Sequence, residues 1–206
     1  MSTTFAPRGL VPARKVGGGA NSTGTVTWDV LMTIGDKMPN NLYTGDPIFI
    51  DAGGTISNAI TFVKPSGVFQ GCSYVDASGQ QQYKKMWTGG VCATDVKVHV
   101  QADPAQTFYI QSNTCVSNGV LGNRVMNVPA TVSTSGDTVT GDSRYFMVAT
   151  SITVSDNMLR IIGRAKFDTG VSTTTGVISD TDAFPWYEVR INSHRDNYVT
   201  TTVSTA

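Results

Sequence analysis

The feature that most constrains the fold of this chain is the regular return of short strand-like segments between turn residues. Segments rich in β-branched and apolar residues are separated by Gly, Asn and Asp-Pro sequences about every 8–12 residues, a spacing typical of β-sandwiches and β-barrels. The segment ATDVKVHVQ at residues 93–101 alternates, so that its valines face one way and Lys97, His99 and Gln101 face the other. The sequence lacks the pattern of a long amphipathic helix. We therefore predict an all-β fold, a sandwich or barrel of antiparallel strands.

The stretch GVFQGCSYVDASGQQQYKKMW predicts a hairpin with a tight turn at residues 76–79, where Asp and Gly occupy the positions preferred by a type I turn with a left-handed exit. A four-residue turn places Cys72 opposite Tyr83. The same register places Val68 opposite Trp87. One face of the hairpin would then pack inward and the other would meet solvent or a partner. The predicted inward face consists of Val68, Cys72, Tyr74, Tyr83 and Trp87.

The rest of the chain extends the strand pattern. Further strands are predicted at residues 25–34, 40–50, 107–111, 127–133, 138–141, 146–154, 159–167 and 186–193. A long loop at residues 168–184, rich in Thr, Gly and Asp, is of the length that usually has a function or forms a contact. The β-rich domain covers residues 25–206, and a subdivision near residues 118–123 remains open.

Residues 1–24 are predicted to form an extended N-terminal arm. Pro7 and Pro12 favour extended backbone, and the three glycines at 17–19 form a flexible joint. The cations and isolated apolar side chains of the arm could order on a neighbouring subunit. These side chains are Phe5, Arg8, Leu10, Val11, Arg14, Lys15 and Val16. A disordered terminus is the alternative, and contact of the three cations with nucleic acid is a weaker one.

The low and balanced charge of the chain argues against some classes of binding partner. The chain of 206 residues has 15 basic and 15 acidic residues, and its charged fraction is 15%, against roughly 25% in typical domains. A neutral chain offers no field to attract nucleic acid or an anionic membrane. No apolar run approaches the ~20 residues of a membrane span, and the N-terminus lacks the apolar region of a secretion signal. We expect synthesis in a cytosol. Of Cys72, Cys92 and Cys115 no pair forms a CxxC, so three reduced thiols are predicted, with one disulfide as the alternative.

Catalytic equipment is sparse. Of the two histidines, His99 lies in an alternating strand and His194 at the end of another, and Glu188, the only glutamate, lies on the polar side of a strand. No GxSxG elbow, P-loop or zinc-ligand spacing is present. We therefore predict a structural or binding protein with no catalytic, cofactor or metal residues.

The order of several segments resembles the small capsid decoration (cement) proteins of tailed bacteriophages, many from marine and cyanobacterial phages. These segments are LYTGDPIFI, GVFQGCSYVDASGQQQYKKMW, ATDVKVHVQADPAQTFYIQ, LRIIGRAKF and WYEVRINSH. The hairpin beginning GVFxGCxYxD is the most specific, and the resemblance covers residues 40–194, more weakly over 112–155. Related sequences continue the Trp with Pro-x-Gly-Thr, whereas here Thr88, Gly89 and Gly90 follow it. The arm lies outside the resemblance.

The resemblance implies an all-β protein on the outer capsid surface of the virion, made in the host cytoplasm. It implies binding to the major capsid protein as a homotrimer at three-fold and quasi-three-fold positions. Exposed aromatic residues and the arm are the candidate contacts, since aromatic anchors dominate interface energies; the aromatic ones could instead be core. The partner-contact candidates are Phe5, Arg8, Leu10, Arg14, Lys15, Tyr43, Trp186 and Tyr187.

Three other functions remain as alternatives. A tail-associated or head-surface adhesin module could bind carbohydrate through Trp186 and Tyr187, which lie near the long loop. A hydrolase on a β scaffold would need a pocket with at least two close titratable groups. A major capsid protein is disfavoured because the chain is short and lacks a long helix.

Overall fold

The computed structural model describes ten stretches of the chain. They are residues 4–15, 25–30 (backbone only), 40–50, 55–58, 65–89, 94–116, 126–132, 136–151, 157–165 and 183–192. The predicted subdivision near residues 118–123 and most of the long loop at 168–184 lie outside them.

The described residues form fifteen strands and no helix. The strands are β1 Val11–Lys15, β2 Thr25–Val30, β3 Leu42–Tyr43, β4 Pro47–Ile50, β5 Ile56–Ser57, β6 Gly67–Val75, β7 Gln81–Lys84, β8 Met86–Trp87, β9 Thr94–Gln101, β10 Gln106–Gln111, β11 Asn127–Val128, β12 Ala130–Val132, β13 Tyr145–Met147, β14 Leu159–Arg164 and β15 Trp186–Ile191. All named strand pairs are antiparallel. The all-β prediction is confirmed.

Two larger sheets organise the fold. The first sheet has the strand order β1-β10-β15-β14-β11, and the second sheet has the order β2-β9-β6-β4-β5 with β7 paired to β6. Two short pairs, β12-β13 and β3-β8, complete the described strands. β1 is thus an edge of the first sheet, whereas β6 has partners on both sides.

Two hydrophobic clusters hold the sheets. The main core gathers alternate residues of the first sheet, among them Phe108, Ile110, Val189 and Leu159, together with β12-β13 and with Phe49 and Val68 from the second sheet. The second core lies on one face of the second sheet and includes Leu42, Ile48, Phe69, Cys72, Trp87 and the three alternating valines of β9. Full burial of each such side chain contributes about 1.5–3 kcal/mol, so the alternating apolar pattern directly stabilises both layers.

The prediction for β9 is confirmed except at its end. Val96, Val98 and Val100 are buried, as the alternation indicates. Gln101, predicted to face outward, is only 4% exposed. It pairs with Thr25 of β2 and with Val68 of β6.

The hairpin turn is confirmed, but its register is shifted by one residue. The N–H of Asp76 donates to the carbonyl of Gln80 at 2.9 Å, and Gly79 has the left-handed φ of 78° that the turn requires. The loop therefore has five residues, not four, and Ser73 lies opposite Tyr83. Because one residue of slip moves a side chain to the other face, Tyr83 points outward and is 65% exposed.

A β-bulge at Gly71 changes the rest of the predicted inward face. Between Phe69 and Cys72 strand β6 advances three residues while β9 advances two, and Gly71 has φ of 132°. The extra residue puts Phe69 and Cys72 in the second core and Val68 in the main core. Val68 therefore does not face Trp87, which pairs with Leu42.

Apart from residues 138–141, each of the other predicted segments contains strand residues in the described part; the segments predicted at 40–50 and 127–133 each contain two strands, and β10 begins one residue before the predicted 107. Residues 138–140 form an exposed turn in which the carboxylate of Asp137 accepts from the N–H groups of Val139 at 2.8 Å and Thr140 at 3.2 Å. Asp side chains stabilise such turns in competition with strand pairing. The strand predicted at 146–154 is limited to β13 in the described residues.

Candidate functional site

The N-terminal segment, defined as residues 4–15, packs against the rest of the same chain. Its strand β1 pairs with β10, with Val11 opposite Tyr109 and Pro12 opposite Phe108. Pro12 has no N–H to donate, which is tolerated because β1 is an edge strand. The prediction of an arm separate from the domain is therefore corrected over residues 4–15, since the sheet extends into the segment. Residues 1–3 and 16–24 lie outside the described part.

Leu10 fixes the middle of the N-terminal segment in the main core. Its side chain is 1% exposed, and its N–H donates to the carbonyl of Gly45 at 2.9 Å. Gly9 and Gly45 both have positive φ, of 70° and 96°, and a Cβ on Gly9 would collide with the carbonyl oxygen of Gly45. The two backbones can cross this closely only without side chains. Leu10 therefore stabilises the fold, and its prediction as a partner contact is corrected.

The beginning of the N-terminal segment is held by an aromatic cluster and one amide. The half-buried Phe5 ring lies 5.1 Å from both Phe146 and Phe184, between ring centroids. The Gln111 side chain accepts from the N–H of Ala6 at 2.8 Å and donates to the carbonyl of Thr4 at 2.9 Å. Most of Phe5 is thus committed to its own chain.

An ion pair anchors the other end of the segment. Arg14 donates from Nε to Oε1 of Glu188 at 2.7 Å and from Nη2 to Oε2 at 3.2 Å, while the Thr107 hydroxyl donates to Oε1 at 2.9 Å. Glu188 is 3% exposed. The hydrogen bond and the charge of Glu188 raise the pKa of Arg14. This bidentate pair was not predicted; that Glu188 is the only glutamate was the one signal available in the sequence.

Several residues of the segment are nevertheless exposed, among them Arg8, Val11 and Arg14. The side chain of Arg8 is 69% exposed, with its Nε 3.9 Å from a carboxylate oxygen of Asp142. Arg14 keeps 57% of its side chain exposed, and Val11 is 37% exposed. We define Arg8, Val11 and Arg14 as the N-terminal edge. Lys15, by contrast, is half-buried in an ion pair with Asp103.

The aromatic candidates of the domain are mostly core residues. Tyr43 is 3% exposed and Tyr187 is fully buried, with its hydroxyl oxygen accepting from the N–H of Val116 at 3.1 Å. Their prediction as partner contacts is corrected, because a buried ring cannot reach another molecule. Trp186 is half-buried. The pair Trp186 and Tyr187 therefore cannot offer two stacking rings to a sugar.

Buried Asp46 is a structural group. It is 2% exposed and accepts from the N–H of Tyr43 at 3.0 Å and the amide of Asn58 at 3.1 Å. Burial raises the pKa of Asp46, and a hydrogen bond from Ser143 partly offsets that rise. The carboxyl thus joins β3, the segment after β5 and the segment before β13.

Other sites are limited in the described residues. No group of three or more His, Cys, Asp or Glu residues there is placed to hold a metal ion. No helix in the part described is long and apolar enough to cross a membrane. Cys72 is buried and Cys115 is half-buried, and neither is in a disulfide, while Cys92 and His194 lie outside the described residues.

No protein-family model matches the chain, and no significant match was found among curated proteins or solved structures. The sequence and the geometry of the N-terminal edge are therefore the grounds for a functional proposal.

Proposed function

We propose that this chain is a capsid decoration protein. It binds the outer surface of an icosahedral phage head, contacts neighbouring subunits of the major capsid protein, and acts as a homotrimer at three-fold and quasi-three-fold positions. The resemblance of residues 40–194 to cement proteins suggests this role. Binding of this kind uses surface complementarity and requires no reaction.

The observation that carries the proposal is the N-terminal edge. Val11 and Arg14 belong to the edge strand β1, and Arg8 lies just before it in the segment that Leu10 and Glu188 anchor, yet all three side chains are exposed. Arginine is enriched at interface hot spots. A preformed edge loses little conformational entropy on binding.

Trimerisation would multiply the effect of each contact. Three copies around one axis present three N-terminal edges to the lattice, and linked contacts gain affinity through effective concentration. The formal net charge of zero keeps self-repulsion between copies low. Individually weak contacts can then give slow release from the capsid.

The first experiment combines light scattering with co-sedimentation. The purified chain is measured alone and with expanded, DNA-free shells of the virus that encodes it. We expect a species of three times the 21.9 kDa chain mass, alone or on the shells, and co-sedimentation with the shells. A monomer that ignores the shells would overturn the proposal.

A charge-reversal variant tests the N-terminal edge separately. Arg8→Glu combined with Val11→Asp should keep the thermal midpoint but lose shell binding, because both side chains are exposed. Lys84→Glu is the matched control, an exposed cation on the second sheet, and should bind like the parent. Full shell occupancy by the double variant would remove the edge from the interface and leave the decoration role to another surface.

A further inference from the structure

A cavity of about 440 Å³ opens on the second sheet, away from the N-terminal segment. It is lined by Ser73, Tyr74, Val75, Gln81, Asp95 and Lys97. Small-molecule sites typically measure about 300–1,000 Å³, so this cavity has room for a small ligand. The cavity beside Arg8 is about 150 Å³ and falls below that range.

A backbone irregularity lies in the lining of the cavity. Between the pairs Ser73–Lys97 and Val75–Thr94, β9 advances three residues while β6 advances two. Asp95 is the extra residue, and its φ of 49° makes it the one non-glycine residue with positive φ in the described part. Bulges often re-aim a side chain beside a site, and strained residues cluster at functional positions. Here the bulge residue Asp95 is one of the residues that line the cavity.

The lining suits a ligand with several hydroxyl groups. Asp95 supplies acceptor oxygens, Lys97 supplies donors, and Ser73 and Gln81 supply both. One acidic and one basic residue leave no excess charge of either sign. This composition favours a neutral polyol over a phosphate or a cationic ligand.

An exposed aromatic residue, Tyr83, lies opposite the lining residue Ser73 without being part of the lining itself. Tyr83 lies opposite Ser73, and Ser73 lies opposite Lys97, so that the three residues form one row on the outer face of the sheet. Tyr83 is 65% exposed, and its ring packs against His99 at 5.6 Å between centroids. A held, exposed ring presents an apolar face with a polar tip, which can stack on the C–H face of a sugar.

We infer that this cavity and the Tyr83 ring form a binding site for a neutral saccharide. One sugar unit occupies the cavity, where its hydroxyl groups bond to Asp95, Lys97 and Gln81. An adjoining unit or ring face stacks on Tyr83. The site is independent of the N-terminal edge and of capsid binding.

An NMR titration tests the inference. The ¹⁵N-labelled full chain is titrated with methyl α-glucoside, methyl α-mannoside, methyl β-galactoside and N-acetylglucosamine to about 50 mM, which detects a Kd in the millimolar range. We expect amide shifts at residues 73–75, 81–83 and 95–97 with at least one sugar. Absence of shifts with all four, or shifts confined to other residues, overturns the proposal.

Two variants and a control define the site. Tyr83→Ala should raise Kd about tenfold, and Asp95→Gly should raise it at least as much while keeping or raising the thermal midpoint, because glycine accepts positive φ. Lys84→Ala changes the next residue of β7, which points to the other face, and should bind like the parent. Unchanged affinity in both site variants overturns the assignment. Tighter binding of glucuronate or glucosamine than of their neutral counterparts overturns the neutral class.

Discussion

Replacement of Leu10 by Ala tests whether the N-terminal segment is part of the folded core. Leu10 is 1% exposed and lies between the main core and the crossing of Gly9 with Gly45. Removing three buried carbons costs about 2.5 kcal/mol at ~0.8 kcal/mol each. The close backbone crossing restricts collapse of the cavity, which raises the expected loss to about 3–4 kcal/mol.

The assay is urea unfolding followed by far-UV circular dichroism, with Val11→Ala as the matched control. Val11 is the next residue along the chain and is 37% exposed, so its truncation should change stability by no more than about 0.5 kcal/mol. Leu10→Ala should shift the urea midpoint downward by more than about 1 M for a slope near 2–3 kcal/mol/M. The slope itself should stay the same if both proteins unfold in two states.

Equal midpoints for the two variants would refute this reasoning. If the segment detached before the rest of the protein unfolded, Leu10→Ala would weaken only the docking of the segment. The free energy of global unfolding would then be insensitive to Leu10. Amide exchange of β1 separates the cases. If the segment is integral to the core, β1 amides bonded to β10 exchange with the free energy of global unfolding, whereas in a detachable segment they exchange much faster.

Three further predictions follow from single residues. Gly79→Val should lower the free energy of unfolding by about 1–2 kcal/mol through backbone strain alone, since φ is 78° and no atom lies within 4 Å of a Cβ built there. Gly71→Ala should lower it more, because a carbonyl oxygen of β7 lies 2.9 Å from the added Cβ. Equal thermal midpoints for the two variants would contradict the bulge at Gly71. Burial raises the pKa of Cys72 to about 12. In the native chain at neutral pH, iodoacetamide should therefore alkylate Cys115 at least tenfold faster than Cys72, which peptide mass spectrometry can measure. Equal alkylation rates would contradict the burial of Cys72. Burial also raises the pKa of Asp46 above its ordinary 3.8. The contribution of Asp46 to the free energy of unfolding is therefore present below pH 3.8 and is lost as pH rises through the folded-state pKa. Urea titrations at several pH values should show a weaker pH dependence of stability in Asp46→Asn than in the parent, and an equal dependence in the two proteins would contradict this prediction.

The hairpin shows which structural features can be predicted from the local sequence. Its strands, its turn and the glycine at position 79 follow from residue types that prefer those conformations. The loop length does not, because Gln80 is equally suited to close the loop or to begin β7. A difference of one residue decides which face Tyr83 takes. The bulge at Gly71 depends on the partner strand β9, which the hairpin sequence does not specify.

The candidate site was harder to predict than the fold. An isolated apolar residue such as Leu10 has no periodicity to assign it to a core, and the pairing of Arg14 with Glu188 joins residues 174 positions apart. Asp95 likewise reads as part of an alternating strand until its register against β6 is known. Long-range contacts of this kind depend on how the sheets pack. The residue order within one segment does not determine that packing.

Under the proposed decoration function, the burial of the N-terminal segment separates two ways in which a variant could lose capsid binding. Because Leu10 and Glu188 fix the segment in its own sheet, they cannot also reach the capsid, and changes there should lower stability and binding together. Arg8 and Val11 extend from the same backbone into solvent. Changes at these two residues should reduce binding and leave stability intact. Under the proposed decoration function, affinity for the capsid should therefore depend on the exposed side chains of the N-terminal edge and be insensitive to the conformational freedom of the N-terminal segment.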